Sequence, residues 1–191
     1  MGRLVDLHNA VFTAVERRMS WTLPLLARFI FAAVLLIYFW NAGLTKLGDS
    51  FFGFLNPSFG AYAQIFPKAV EAAEYDPANL SAFHWLVTVA GTWAEFILPA
   101  LIIVGLATRL AALGMIGFVV VQSLTDLYGH GAIEHAETLG AWFDRFSDGL
   151  ILDQRAFWIF TLVVLVVKGA GVLSLDHALR SALFGKEDMH V

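Results

Sequence analysis

Long apolar runs separated by polar intervals dominate the chain. Four of them approach the ~20 residues needed to cross a bilayer as a helix: roughly 21–47, 81–106, 108–127 and 154–175. The second and third are joined only by a turn around GLATR, so they form an antiparallel hairpin. The first twenty residues follow another pattern. Leu4, His8, Val11, Phe12, Val15 and Met19 share one helical face, while Arg3, Asp6, Glu16 and Arg17 lie elsewhere. That predicts an amphipathic helix along the membrane surface, and the stretch is too polar for a cleavable signal peptide. The expected fold is all-α: an interfacial helix at 1–20, a four-transmembrane-helix bundle at 21–180, and a tail at 181–191.

The polar positions inside the apolar runs are few. In WAEFILPALIIVGLATRLAALG, at 93–114, Glu95 stands well inside the second span. A mid-membrane charge is costly, at least ~2.5 kcal/mol on insertion scales, and normally faces protein or water. His84, Thr88, Gly91, Thr92, Glu95 and Pro99 recur at helical spacing and make one polar, small-residue face, which must point into the bundle. Pro99 has no N–H, so the carbonyl of Glu95 loses its helical donor. Counting ~1.5 Å per residue along each helix, Glu95 falls level with Arg28 of the first span, and Lys46 falls too far toward the other end. An Arg28–Glu95 pair is therefore expected. Lys168 of the fourth span is either its third member or a residue snorkelling to the surface. Lys46, His84 and Asp126 make a second polar layer near the opposite surface.

Composition agrees with the membrane reading. The chain of 191 residues is 59% hydrophobic and 15% charged, against about half and a quarter in soluble domains; the mean hydropathy is +0.71. Arg3, Arg17, Arg18, Arg109, Arg180 and Lys186 mark one side, and the two long loops are acidic. The positive-inside rule then puts both termini in the cytoplasm and the protein in the cell's inner (plasma) membrane. With no cysteine, the chain cannot shuttle a disulfide, hold an iron–sulfur cluster on thiolates, or attach haem covalently. Only His84 lies within a span, so a b-type haem bridging two helices is not expected either. No phosphate-binding glycine loop, nucleophile elbow or basic stripe for nucleic acid occurs.

The loops carry two further patterns. DSFFGFLNPSFGAYAQIFPKAVEAAEYDP, at 49–77, is rich in Phe and Tyr. It suits an interfacial anchor or an entry for an isoprenoid ring or partner subunit, with a short helix ending near Tyr75. DLYGHGAIEHAE, at 126–137, places His130, Glu134 and His135 close together as candidate metal ligands, although their spacing fits no zinc or copper signature. The AWFDRF segment at 141–146 reads as a half-buried turn or helix.

Three blocks together resemble the DoxX family of small four-helix membrane proteins: ARFIFAAVLLIYFWNAGLTKL at 27–47, AEFILPALIIVGLATRLAALG at 94–114, and KGAGVLSLD at 168–176. The resemblance implies a membrane redox or metal-related setting. Some members look like subunits of a thiosulfate:quinone oxidoreductase, others accompany oxidative-stress proteins, and some are similar to proteins encoded beside metal-binding peptide systems. The expectation is an accessory or quinone-linked subunit of a membrane redox complex. Arg28, Glu95, Lys46 and His84 would surround a quinone, and membrane or exterior-side redox proteins, or a second copy of the chain, would be its partners. The alternatives are a small-solute or metal-handling carrier and a purely structural anchor. No catalytic residue is assigned.

Overall fold

The computed structural model describes residues 2–184, of which none is in a strand. The last part of the expected tail, from 185 on, lies outside them. Helix α1 (Gly2–Met19) has no buried residue. Its apolar stripe, Leu4, Val11, Phe12 and Val15, is open along its length.

The four long apolar helices are α2 (Thr22–Lys46), α5 (Ala82–Val104), α6 (Thr108–Gly129) and α8 (Leu150–Lys168), each long and apolar enough to span a membrane. Between α2 and α5 lie two short helices, α3 (Phe59–Ile65) and α4 (Pro67–Ala72). A single turn, α7 (Ala136–Leu139), precedes α8, and α9 (Leu175–Phe184) follows it. Each span packs on two others, α2 on α5, α5 on α6, α6 on α8 and α8 on α2, so the four close into an antiparallel ring. Phe31, Leu35 and Phe39 of α2, at four-residue spacing, meet Ile102, Met115, Val119, Leu162 and Leu165 in its centre. The i, i+4 repetition is why one face of α2 is buried while Val34 and Ile37 face outward.

The fourth span differs from its predicted limits of 154–175. It starts at Leu150 and ends at Lys168, because Gly169 and Gly171 take φ of +77° and +78°. This left-handed backbone is open to glycine and halts the helix. Residues 175–184 belong to α9.

The first loop is pinned to α5 rather than loosely anchored. Trp85 Nε1 donates to Leu55 O at 2.9 Å and Trp93 Nε1 to Phe54 O at 3.1 Å. Ser58 Oγ accepts from Ala61 N at 3.3 Å and caps α3. α4 ends before Tyr75, which turns at φ +62°. The 141–146 segment is not half-buried: Trp142, Phe143 and Phe146 stand exposed, because Trp142 Nε1 bonds Leu152 O and leaves the ring outside.

Candidate functional site

The expected Arg28–Glu95 pair does not form. Glu95 instead accepts from Lys46, Nζ to Oε1 at 2.9 Å, with both side chains under a tenth exposed. Counting along each helix misplaced the two helices relative to one another. Trp40 Nε1 donates to Phe96 O at 3.3 Å, and Gly43 lies against the Phe96 ring, so the end of α2 is level with the middle of α5. α5 also packs on α3, where Gly91 faces Ile65. Lys46 also bends back along its helix, donating to Ala42 O at 3.1 Å. A Cβ on Gly43 would come within 2.7 Å of Phe96, so glycine permits the close approach that brings Lys46 to Glu95.

Arg28 works at the other end. Its guanidinium donates to Ile102 O at 3.0 Å, Ile103 O, Ala170 O at 3.0 Å and Leu173 O at 2.5 Å. Two of these carbonyls lie in the last turn of α5, where helical donors run out. The others lie in the turn between α8 and α9. Beside it, Asp176 accepts from Ala107 N at 2.7 Å and Thr108 N at 3.0 Å, capping α6. Partial burial pushes the Asp176 carboxyl up, but those backbone donors and the charge of Arg28 outweigh it and hold it below the usual range. A carboxyl depressed in the fold adds stability above its unfolded pKa and loses it as pH falls through the folded one. Asp176→Asn should therefore unfold at a lower temperature than wild type at neutral pH, and the gap should close as pH falls below the usual carboxylate range. A gap that stays constant as the pH falls would place the effect outside the carboxylate.

Lys168 is exposed at the end of α8 and takes no part in the Glu95 pair. The second polar layer is also rearranged. Asp126 pairs with Arg155, Oδ2 to Nη2 at 2.5 Å, and not with Lys46. Arg155 is 2% exposed and also donates to Ser123 Oγ at 3.0 Å. Both partners sit at wide π-type turns, Thr125–Gly129 and Leu150–Gln154, which swing them together. Arg155 falls at the very edge of the span predicted at 154–175. The apolar LIL at 150–152 carries the helix back across Asp153 and takes Arg155 inside. His84 joins neither pair: its Nδ1 lies 2.9 Å from Ser81 Oγ in the cap of α5, and its ring meets Phe66 edge to face.

The metal candidates do not converge. Among the described residues no three His, Asp or Glu side chains could hold one ion. His130 Nε2 lies 2.9 Å from Gln64 O. His135 Nδ1 is 4.0 Å from Glu137 Oε1 with both exposed, and Glu134 is exposed. The glycines on either side of His130 turn the chain away, Gly131 at φ +75°.

What does converge is a cavity of about 460 Å³ between α5 and α6 on the loop side. Lys46 and Glu95 lie on its wall, Gln64 and His130 border it from the loops, and Asp126 and Gln122 come from α6. The rest of the wall is apolar or small, with Ala90, Gly91 and Ala94 facing Gly114 and Gly117. Of the stripe predicted on α5, Thr88, Thr92, Glu95 and Pro99 are buried, and Gly91 opens the cavity. The loop aromatics do not line it; Gln64 and Ile65 do. Glu95 Oε2 and Gln122 Oε1 are both buried and without a hydrogen-bond partner. Gln122 is turned by its Nε2, which bonds the Tyr38 hydroxyl at 3.0 Å. Buried acceptors without donors are costly, about 1–3 kcal/mol each, so these two make the cavity wall receptive to a donor, from water or from a ligand.

A family model described as DoxX matches residues 23–125, more than half of the chain. The KGAGVLSLD block at 168–176 lies beyond the match. No curated protein and no solved structure matches the chain.

Proposed function

The chain belongs to the DoxX family, and from that premise we propose that it is a quinone-linked accessory subunit of a membrane redox complex. The cavity between α5 and α6 would receive the ring of the quinone. The observation that carries this is the second oxygen of Glu95, 3% exposed as a residue and unpartnered on a mostly apolar wall. A quinol offers hydroxyl donors on an apolar ring, which is the complement of that wall. Glu95 Oε2 and Gln122 Oε1 would accept from them. For the oxidised ring the donor is Lys46: an ammonium has three protons, and two are used on Glu95 and Ala42. The same Glu95–Lys46 pair thus serves quinone and quinol.

The chain has no redox centre of its own in this reading, so a partner protein supplies or removes the electrons. The acidic loops would face the exterior and the termini the cytoplasm, as the distribution of Lys and Arg favours.

Gentle purification from native membrane, with mass spectrometry of bound lipids and proteins, tests the proposal. Quinone is expected near one per chain. Gly117→Leu should abolish it without loss of fold, because a Cβ at Gly117 meets nothing within 4 Å and enters the cavity freely, and leucine is the better helix former. Quinone that survives Gly117→Leu would mean it binds elsewhere, and a chain that never carries quinone would end the proposal.

A further inference from the structure

A second cavity, of about 560 Å³, opens at the opposite end of the bundle, where the 105–107 turn meets the segment between α8 and α9. Arg109, Lys168 and Arg180 all line it. Three different helices thus bring cations to one hollow. Among the described residues none of the three is in an ion pair. The carboxylate that also lines it, Asp176, is already engaged: both oxygens accept backbone N–H groups of α6, and Arg28 lies behind it. His177 is the remaining titratable group on the wall.

The backbone keeps the hollow open. At Gly169 (φ +77°) a Cβ would stand 3.3 Å from Arg109 Nε, and at Gly171 (φ +78°) it would stand 3.0 Å from Pro24. The Arg109 side chain therefore lies close against the end of α8. Apolar side chains continue the wall outward: Leu110 lines the cavity and is 71% exposed, and neighbouring Leu173 is 70% exposed. Each belongs to the edge of a spanning segment or its adjoining turn, where acyl chains would lie.

We propose that this cavity binds a phosphate group, presented by the headgroup of an anionic membrane lipid. Two guanidiniums and an ammonium match the charge and the several acceptor oxygens of a phosphodiester. The exposed leucines match the chains attached to it. The site is independent of the quinone cavity, which lies at the other end of α5.

The test is native mass spectrometry of the purified full chain titrated with phosphatidylglycerol, and separately with phosphatidylcholine. One phosphatidylglycerol per chain should persist where phosphatidylcholine is lost. A basic side chain that meets an anionic headgroup contributes roughly fivefold in affinity. Arg109→Gln, Lys168→Gln and Arg180→Gln combined should thus weaken binding by about a hundredfold. Arg17→Gln with Arg18→Gln, two cations on α1 outside the cavity, should leave it unchanged. If the triple variant does not fold, the three single variants should each show the fivefold loss. Competition by millimolar inorganic phosphate would support the site and assign it to the phosphate group alone. Equal retention of the two lipids, or phosphatidylglycerol binding indifferent to the substitutions, would overturn the proposal.

Discussion

Glu95→Gln is expected to abolish quinone retention and to destabilise the bundle by about 3–5 kcal/mol, the usual cost of removing one member of a buried ion pair. The loss is large because Lys46 cannot escape. Its side chain is held 7% exposed between Ala42 and Glu95, so neutralising the carboxylate leaves an ammonium buried with nothing to balance it. Lys46→Met should behave alike, leaving the carboxylate uncompensated. The double variant Lys46→Met/Glu95→Leu separates the roles. Replacing both members of a buried pair by apolar side chains of similar volume is often close to neutral for stability. Thermal unfolding in one detergent should therefore return to near the wild-type midpoint in the double variant, while quinone measured by mass spectrometry stays absent. A double variant that keeps its quinone would show that the pair only fixes helix register. That result would remove Glu95 and Lys46 from the quinone site.

Hydropathy and periodicity were enough to read the four spans and the buried face of α5. Both depend on local sequence, and a mid-membrane carboxylate allows few alternatives. The partner of Glu95 was not legible, since it depends on how far α5 slides along α2. That offset is set by Gly43 against Phe96, by the Trp40 bond to Phe96, and by the tryptophan bonds to the first loop. None of these has a periodic signature. Arg155 was missed for a related reason. A residue at the edge of the span predicted at 154–175 became the deepest cation of the bundle once the wide turn at 150–154 extended α8 backward. The cavity was half visible: Gly91 stood out on α5, but Gly114 and Gly117 read as ordinary small residues until α6 was set opposite. The metal candidates do not meet, because nearness in sequence is not convergence in space: His130 turns to Gln64, and His135 turns to Glu137.

Arg28→Met is expected to cost about 3–5 kcal/mol, and Arg28→Lys nearly as much, since hydrogen bonds to a charged group contribute about 1.5–3 kcal/mol each and water can replace only the outermost. Four carbonyls converge on this one guanidinium from two separate segments. A lysine has a point charge on a flexible stem and cannot span the same fork. Packing reinforces the point: a Cβ on Gly105 would stand 3.0 Å from Arg28 Cζ and 2.5 Å from Ser174 Cβ, so the turn closes directly over the guanidinium. The α8–α9 segment should therefore loosen first, seen as faster amide exchange at 170–174 in either variant. Quinone is the discriminating readout. Arg28 bonds residues 102 and 103, whereas the cavity reaches along α5 only to Leu98. At temperatures well below the lowered unfolding midpoint, Arg28→Met should keep its quinone while Glu95→Gln does not. Loss of quinone in both variants under those conditions would mean that the two ends of α5 act as one unit, and the assignment of separate roles to Arg28 and Glu95 would fail.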